Sequence, residues 1–384
     1  MLRPSKRPKM PKMPEAPEPS ITQGIDRQAR EAAVESASMV EARQTPQHRT
    51  PPQPKQKKKK PSKIAMVRMG YEQLVCTVVR PPRVSYGVED LGMPCKRVNG
   101  AFVERVDFEV ANDRGETLRC SRWAPNPATR RHILYLHSNS SCRLAVVRSP
   151  LLATAASLGA TLVAFDFAGC GISDGDVVTL GIHERADVAK LIATIKARDP
   201  AAQIVLWGRS MGAASALLYC EAYDDPAVSA LVLDSPFLSL KTLADDVVKR
   251  VAPKAPRCGV ACLLCCLKRS VKSRTGGVDV MKVSCEPAAR KATRPALFVS
   301  GVRDVLAPPK THGEPLERAY AAPSKLLTFD GEHNSPRPRW IYEETRAFLL
   351  AAFAPDLEPL RRALEDAPAP AGADAPLVTK ATTI

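Results

Sequence analysis

The sequence predicts an α/β fold in which helices cover both faces of a mainly parallel sheet. Short apolar runs alternate along the chain with longer segments of helical character, which is the pattern of parallel sheets. Ahead of these runs, alternating segments at 101–110 and 116–121 flank a turn signal at 112–115 and predict an antiparallel hairpin. The chain has 384 residues, of which 45% are hydrophobic, and this is enough for one large domain with a substantial core.

The individual elements follow from the apolar runs and the residues that bound them. Parallel strands are expected at 133–137, 161–167, 204–208, 230–234, 296–301 and 325–330. Crossover helices are expected at 151–158, 185–197 and 213–223, and a closing helix is expected at 340–353.

Composition changes near both ends of the chain and indicates the domain organisation. Residues 1–63 are basic and proline-rich and contain no aromatic residue, so we expect this tail to be disordered. Residues 64–356 form the expected folded domain, with an insert at about 237–293, and residues 357–384 form an expected flexible C-terminal tail.

The net charge of +16 raises the question of an anionic partner. Much of the positive excess lies in the N-terminal tail, which includes four consecutive lysines at 57–60. This block is compatible with a nuclear signal, a nucleic-acid contact, an anionic-membrane contact or a solvated linker. No module that interleaves aromatic and basic residues accompanies it, so nucleic acid is not an expected partner.

Cysteine usage and hydropathy point to a reducing compartment. The 11 cysteines show no disulfide-like framework, and the first residues lack the apolar segment of a secretory signal. No apolar run reaches the ~18–20 residues of a membrane-spanning helix. We therefore expect a cytoplasmic protein, with peripheral membrane contact left open.

The stretch from Gln203 to Tyr219 predicts a nucleophilic serine. A buried strand leads into Gly208-Arg209-Ser210-Met211-Gly212, and a helix follows at once. A Gly-x-Ser-x-Gly between strand and helix is typical of a nucleophile elbow, in which the serine hydroxyl is exposed on a strained turn. An ordinary strand-to-helix turn is the alternative interpretation.

A serine nucleophile needs a base and an acid that orients the base. His333 follows the predicted strand at 325–330 and is the expected base, whereas His312 lies in a proline-rich stretch. Asp304 follows the strand at 296–301 and is the expected acid. The rival acid is Asp234, for which we favour a role in capping the following Ser-Pro turn.

Backbone N–H groups are expected to stabilise the oxyanion. Met211 supplies one at the start of the helix, and Asn139, in the loop after the strand at 133–137, supplies the other. A polar turn is the alternative for this loop. A second glycine-rich loop at 166–175 lacks both phosphate-binding patterns and is expected to be structural.

The centre of the insert carries four closely spaced cysteines within the apolar run 258–267, namely Cys258, Cys262, Cys265 and Cys266. A metal site is disfavoured, because a single C-x-x-C has no partner at suitable spacing. A helix packed on the core is one interpretation. The other is reversible S-acylation combined with the flanking lysines and arginines, which would bring the insert to a membrane surface.

Several motifs together resemble a known family. The sequence is similar to the serine aminopeptidase-like branch of the α/β-hydrolases, and to its intracellular eukaryotic serine hydrolases, acyl-protein thioesterase-like members included. The resemblance covers about residues 70–353. It rests on the following stretches: Arg80-Pro81-Pro82-Arg83, Tyr135 to Arg143, Phe165 to Gly169, Gly208 to Gly212, Leu233 to Phe237 and His333 to Pro338. Ser138 departs from the family pattern, in which glycine follows the histidine.

The resemblance implies an α/β-hydrolase fold with a cap insert, and Ser210, Asp304 and His333 as a catalytic triad. It implies hydrolysis of an ester or thioester through an acyl-enzyme, on a small-molecule or acylated substrate, with no metal and no organic cofactor. A serine peptidase and a catalytically silent adaptor at a membrane are the alternatives. Only an activated serine would react with a fluorophosphonate probe, which separates the enzyme from the adaptor.

Overall fold

The computed structural model describes residues 63–125, 129–251, 253–254 and 256–354. The predicted C-terminal tail and the predicted N-terminal tail, apart from residue 63, lie outside the described residues. The strands in chain order are β1 Cys95–Val98, β2 Ala101–Ala111, β3 Thr117–Ala124, β4 Arg131–Leu136, β5 Thr161–Phe165, β6 Gln203–Arg209, β7 Val228–Asp234, β8 Ala296–Gly301 and β9 Ser324–Phe329. The helices are α1 Lys63–Val79, α2 Leu151–Ser157, α3 Ile182–Arg198, α4 Met211–Tyr223, α5 Leu240–Val251, α6 Arg257–Arg274, α7 Glu286–Arg290, α8 Gly313–Ala319 and α9 Arg339–Ala352.

All nine strands belong to one sheet with the order β1-β2-β3-β5-β4-β6-β7-β8-β9. Strands β1, β2, β3 and β5 pair in antiparallel fashion, and all later pairings are parallel. The predicted hairpin and the mainly parallel sheet are therefore both present. The carboxyl ends of β4, β6, β7 and β8 meet at one edge, which is where open α/β sheets hold ligands.

Alternation along the central strands separates two cores. In β6, Ile204 and Leu206 face the core shared with α1, α3 and α4, whereas Val205 and Trp207 face the core shared with α2 and α9. All of these side chains are buried, as the continuous apolar run predicts for a strand covered on both faces.

The predicted strands and helices are each present with shifts of a few residues. The largest differences, of three residues each, are that β3 ends at Ala124 rather than at 121 and that α3 begins at Ile182 rather than at 185. Helices α1, α5, α7 and α8 and strand β1 were not predicted from the sequence. Helix α1 lacks a clear apolar stripe, yet Val75 and Val79 are fully buried in the first core, so tertiary packing determines this helix.

The insert between β7 and β8 is helical. It consists of α5, α6, a 3-10 turn at Val280–Lys282 and α7. Helix α6 packs against α1 through the hydroxyls of Tyr71 and Ser270, which are 2.7 Å apart, and through an ion pair between Arg274 and Glu72. Among the described helices, none is long and apolar enough to cross a membrane.

Candidate active site

Ser210 occupies the sharp turn between β6 and α4, and its backbone angles are unusual for a residue with a side chain. Its φ of 51° and ψ of −112° lie outside the regions that such residues normally adopt, so the surrounding structure must hold the turn. A Cβ at Gly208 would collide with the Gly212 carbonyl, and a Cβ at Gly212 would collide with the Leu136 carbonyl. Both glycines are therefore needed for the close approach of strand and helix around Ser210.

The structure brings Ser210, His333 and Asp304 together. The Oγ of Ser210 lies 3.1 Å from Nε2 of His333, and Nδ1 of His333 lies 2.6 Å from Oδ2 of Asp304. An ionised carboxylate only accepts hydrogen bonds, so Nδ1 carries the proton and donates it to Asp304. The lone pair of Nε2 then faces the Ser210 hydroxyl, which is the arrangement that a general base requires.

Backbone N–H groups fix the Asp304 carboxylate. Its Oδ1 accepts from Leu306 N–H at 2.9 Å and from Ala307 N–H at 2.8 Å, which leaves Oδ2 for His333. The aspartate is 3% exposed and the histidine 8% exposed. Because little water reaches the pair, the hydrogen bond between them is strong and its geometry is well defined.

The two candidate oxyanion donors lie in different loops. The Met211 N–H is at the first position of α4, where the preceding turn offers no carbonyl. In the loop after β4, the Asn139 side chain accepts from Ser140 N–H at 3.0 Å, and the Asn139 N–H has no acceptor within the described residues. The residue of this loop with a left-handed backbone is Ser140, with φ of 56°. Ser138, where the family pattern has glycine, does not have a positive φ, so its side chain fits without backbone strain.

A buried histidine and a buried aspartate fix the loop that follows β4. His137 accepts from Phe167 N–H through Nε2 at 3.0 Å and donates through Nδ1 to the Ser138 carbonyl at 2.8 Å. Burial lowers the pKa of His137, so the ring is neutral, as these bonds require. Asp166 accepts from Arg143 N–H at 2.7 Å and from the Tyr86 hydroxyl at 2.6 Å.

The glycine-rich loop after β5 wraps around the same Asp166 carboxylate, because Ile172 N–H donates to it at 3.0 Å. A Cβ at Gly171, whose φ is 46°, would collide with that carboxylate. The loop therefore makes the structural contacts that its sequence suggested.

Two arginines hold the backbone of His333, and the sequence analysis did not assign this role to either. Arg337 donates to the His333 carbonyl at 3.1 Å, and Arg209 donates to the same oxygen at 2.9 Å. Asp234 binds Arg337 in a bidentate manner, with the shortest N–O distance at 2.6 Å. The expectation that Asp234 caps the Ser-Pro turn is therefore wrong, because its carboxylate faces Arg337. In the sequence, this pairing is indicated by the opposite charges of Asp234 and Arg337 in the stretches 233–237 and 333–338.

The two long helices of the insert differ in their relation to the site. In α5, Asp246 accepts from the Thr311 hydroxyl at 2.7 Å, and Arg250 donates to the Val305 carbonyl at 2.5 Å. Helix α5 thus contacts the loop that follows Asp304, whereas the cysteine-bearing α6 packs against α1. That the insert caps the site stays a prediction.

The four cysteines of α6 are all exposed and unpaired, whereas Leu267 and Val271 bury the opposite face of the helix. Across the part of the chain that the structure describes, there is no group of three or more metal-binding side chains.

Comparisons with known proteins agree with the observed architecture. A family model described as serine aminopeptidase, S33, matches residues 147–275. The lysophosphatidylserine lipase ABHD12 of Gallus gallus is 34% identical over 113 residues, which are 28% of this chain and 29% of the lipase. The uncharacterized protein YqkD of Bacillus subtilis is 24% identical over 196 residues, which are 49% of this chain and 61% of that protein. The matched region thus spans less than a third of the lipase.

A solved structure extends the similarity over most of the described chain. The esterase Pf2001 of Pyrococcus furiosus is 21% identical, with a TM-score of 0.52, and the alignment covers 70% of this chain and 97% of the esterase. At this identity the similarity concerns the fold. The sheet order, the strand-serine-helix turn and these matches define an α/β hydrolase. The chain has the α/β-hydrolase fold, and the predictions of the family resemblance and of the fold class are confirmed.

Proposed function

We propose that this protein is a serine hydrolase that cleaves a carboxylic ester or thioester through an acyl-enzyme on Ser210. The observation that carries the proposal is the contact chain from Ser210 Oγ to His333 Nε2 at 3.1 Å and from His333 Nδ1 to Asp304 Oδ2 at 2.6 Å. A nucleophilic serine on a strained strand-to-helix turn, within reach of a base that a carboxylate orients, has the geometry that nucleophilic catalysis requires. The esterase and lipase names among the similar proteins support the same class.

In the first half-reaction, Ser210 Oγ attacks the carbonyl carbon while its proton passes to His333 Nε2. The resulting oxyanion accepts hydrogen bonds from the N–H groups of Met211 and Asn139, and Asp304 stabilises the imidazolium. Collapse breaks the bond to the leaving group, which takes the proton from His333. Water then attacks the acyl-enzyme with His333 as base, releases the acid and restores Ser210.

The test is replacement of Ser210 by alanine. We expect loss of fluorophosphonate labelling and a fall in kcat of about 10⁴–10⁶ on a soluble ester. Circular dichroism and Tm should remain near those of the wild type, because alanine removes only the hydroxyl. Ser215→Ala is the matched control, since the Ser215 hydroxyl is buried within α4 and bonds to the Met211 carbonyl at 2.8 Å. A tenth or more of the wild-type rate in Ser210→Ala would contradict the assignment.

We also propose that α6 contacts a membrane through its cysteines. Cys258, Cys262, Cys265 and Cys266 lie on the solvent-exposed side of the helix, next to Leu263, which is 44% exposed. Exposed thiols next to apolar side chains and cations are suitable for acyl chains and for an anionic leaflet. One acyl chain binds only marginally, so the flanking cations would supply the second signal.

Replacing these four cysteines by serine should move the protein from the membrane to the soluble fraction. The same change should abolish hydroxylamine-sensitive acyl exchange in cells. Cys95→Ser is a control, because Cys95 is exposed but lies in β1. An unmodified wild-type protein in the soluble fraction would overturn this second proposal and leave the first unaffected.

A further inference from the structure

A cavity of about 280 Å³ lies at the amino ends of the parallel strands β4 and β5. Its lining includes His132, near the start of β4, and Thr161, the first residue of β5, which are paired in the sheet. From His132, β4 runs about 13 Å to Leu136 before it reaches the loop of Asn139. The proposed catalytic residues do not line this cavity, so it is separate from the candidate active site.

Arginine side chains dominate the charge of the cavity. Its lining includes Arg122, Arg130 and Arg198, and the carboxylate among the lining side chains is that of Asp199. Burial lowers the pKa of His132, so its ring is neutral and adds no charge. Three guanidinium groups and one carboxylate leave an excess of two positive charges. Helix α3 ends at Arg198 with a partial negative charge of about one half, which reduces this excess without cancelling it.

Buried polar atoms of the lining lack partners in the protein. Nε of Arg122 and both ring nitrogens of His132 are buried and have no hydrogen-bond partner within the described residues. The Asp199 carboxylate lies 3.5 Å from His132 Nε2, and its Oδ1 accepts from Ala201 N–H at 3.1 Å. Because buried donors without an acceptor are costly, a ligand that accepts from Arg122 and His132 would stabilise the protein.

Arg198 is positioned without the use of its donors. Its guanidinium carbon lies 4.8 Å from the centre of the Phe108 ring, so the ring covers one face of the group. The N–H groups lie in the guanidinium plane, where they can bind the oxygens of an anion. Across the part of the chain that the structure describes, Arg122, Arg130 and Arg198 form no ion pair.

The rest of the lining is partly polar and partly apolar. It combines three hydroxyl-bearing and three apolar residues that face the same space, namely Thr129, Thr161, Thr194, Phe108, Val163 and Ile195. The Thr129 hydroxyl accepts from Arg131 N–H at 3.2 Å and keeps its own proton for another acceptor. The volume is near the lower end of small-molecule sites, which is about 300 Å³. A free phosphate ion would leave most of this space empty, whereas a small polar carbon skeleton would fill it.

We propose that this cavity, called here the amino-edge cavity, binds a phosphate monoester of a small polar molecule. A phosphate monoester carries a charge of about −1.5 to −2 at pH 7, which balances the excess charge of the lining. A carboxylate carries half of that charge and has fewer oxygens for the donors. The phosphate accepts from Arg122, Arg198 and His132, and the organic part contacts the threonine hydroxyls.

The experiment measures binding to the full chain by calorimetry, at matched ionic strength, with three probes. These are glucose 1-phosphate, glucose and inorganic phosphate. We expect glucose 1-phosphate to bind about tenfold or more tightly than inorganic phosphate, and glucose to show no binding. Glucose 1-phosphate should also raise Tm, because a ligand that binds the folded state stabilises it. Equal binding of glucose 1-phosphate and inorganic phosphate would indicate a site for the free ion and contradict the proposal.

Variants of the arginines test where the ligand binds. Arg198→Gln should weaken glucose 1-phosphate binding about tenfold, and Arg198→Lys should retain part of the affinity. Arg122→Gln should weaken binding similarly. It should not lower the Tm of the free protein, because it removes a charge that has no partner. A fall in that Tm, with binding unchanged, would show that Arg122 is structural and would overturn the proposal. Arg290→Gln is the control, because Arg290 pairs with Glu286 on α7 and lies outside the amino-edge cavity.

The Ser210→Ala protein separates this proposal from the hydrolase proposal. It should bind glucose 1-phosphate as tightly as the wild type, because Ser210 lies outside the amino-edge cavity. Saturating glucose 1-phosphate should leave the fluorophosphonate labelling of wild-type Ser210 unchanged. Protection of Ser210 from the probe, or weaker binding in Ser210→Ala, would place the ligand in the active site and overturn the amino-edge cavity as its site. Loss of labelling and turnover bears on the hydrolase proposal alone.

Discussion

The neighbouring strands β7 and β8 each end near a buried aspartate. One aspartate contacts the ring of His333, and the other binds an arginine that contacts the backbone of His333. Asp304, after β8, accepts the Nδ1 proton of His333 at 2.6 Å. Asp234, the last residue of β7, acts on His333 through Arg337, which donates to the histidine's carbonyl at 3.1 Å. One carboxylate contacts the ring and the other holds the backbone.

The difference arises from where each carboxylate lies relative to the last pair of the ladder. Asp234 is still in register with Arg209 and Val299, so the sheet fixes its direction. Asp304 lies beyond Gly301 in a turn closed by its own N–H on the Gly301 carbonyl at 3.1 Å. A Cβ at Gly301 would collide with the Gly331 carbonyl, so the glycine lets the two loops meet. Asp234 and Asp304 both follow an apolar strand in the sequence. They have different contacts because Asp304 lies in a turn beyond its strand, whereas Asp234 is still paired in the sheet.

Replacing Asp304 by asparagine tests the direct contact between Asp304 and the His333 ring. The amide can donate to His333 Nδ1, which would stabilise the wrong tautomer and turn the Nε2 proton toward Ser210. We expect kcat on a soluble ester to fall by about 10⁴, with the fold retained as judged by circular dichroism. A loss smaller than tenfold would show that Asp304 is not the orienting acid.

Replacing Asp234 by asparagine should have a smaller effect on kcat and a larger one on stability. Arg337 would keep its charge in a site where its side chain is only 3% exposed. Leaving a buried charge without its partner costs about 3–5 kcal/mol. We expect a clear drop in Tm. We also expect kcat to fall about tenfold, because a contact that positions the base His333 would be lost.

Asp225 provides the matched control, because it lies just before β7 begins and pairs with Lys196 at 2.8 Å. Asp225→Asn should leave kcat unchanged and cost no more than about 1 kcal/mol, as partly exposed ion pairs do. If Asp234→Asn lost as much activity as Asp304→Asn at equal folding, the roles of the two strand ends would have to be exchanged.

Local sequence patterns were sufficient for the elbow and for the parallel strands. Gly208, Ser210 and Gly212 stand between an apolar run and a helix. His333 was preferred to His312 as the base because it directly follows a predicted strand. The partner of Asp234 could not be predicted, because Arg337 lies 103 residues away and only the sheet order brings them together. Helix α1 was missed for a similar reason, since its contacts with α6 are distant in sequence.

His312 links the segments that follow β7 and β8. His312, in the segment after β8, accepts through Nδ1 from the N–H of Leu238, in the segment after β7, at 3.0 Å. Burial lowers the pKa of His312. The carboxylates of Asp246 and Asp304 oppose this shift by smaller amounts. The neutral ring is thus the form that lets the two segments share a hydrogen bond.

This link predicts a pH dependence of stability that is the smallest of the three effects. In the unfolded chain the pKa of His312 returns to about 6.5. Below that pH the unfolded state binds a proton that the folded state excludes, so the free energy of unfolding decreases as the pH falls. Above about 6.5 the contribution is constant. The slope is at most about 1.4 kcal/mol per pH unit for one group, which corresponds to a few degrees in Tm.

His312→Asn keeps an acceptor near the position of Nδ1 and removes the titration. We expect a lower Tm at pH 7 from lost packing, and a shallower decline of Tm between pH 7 and 5 than in the wild type. Asp246→Asn should act in the opposite sense, because removing its negative charge lowers the pKa of His312 further and steepens the decline. Parallel Tm curves for the wild type and His312→Asn would show that His312 titrates normally. In that case the hydrogen bond between His312 and Leu238 would not make the stability of the segments after β7 and β8 depend on pH.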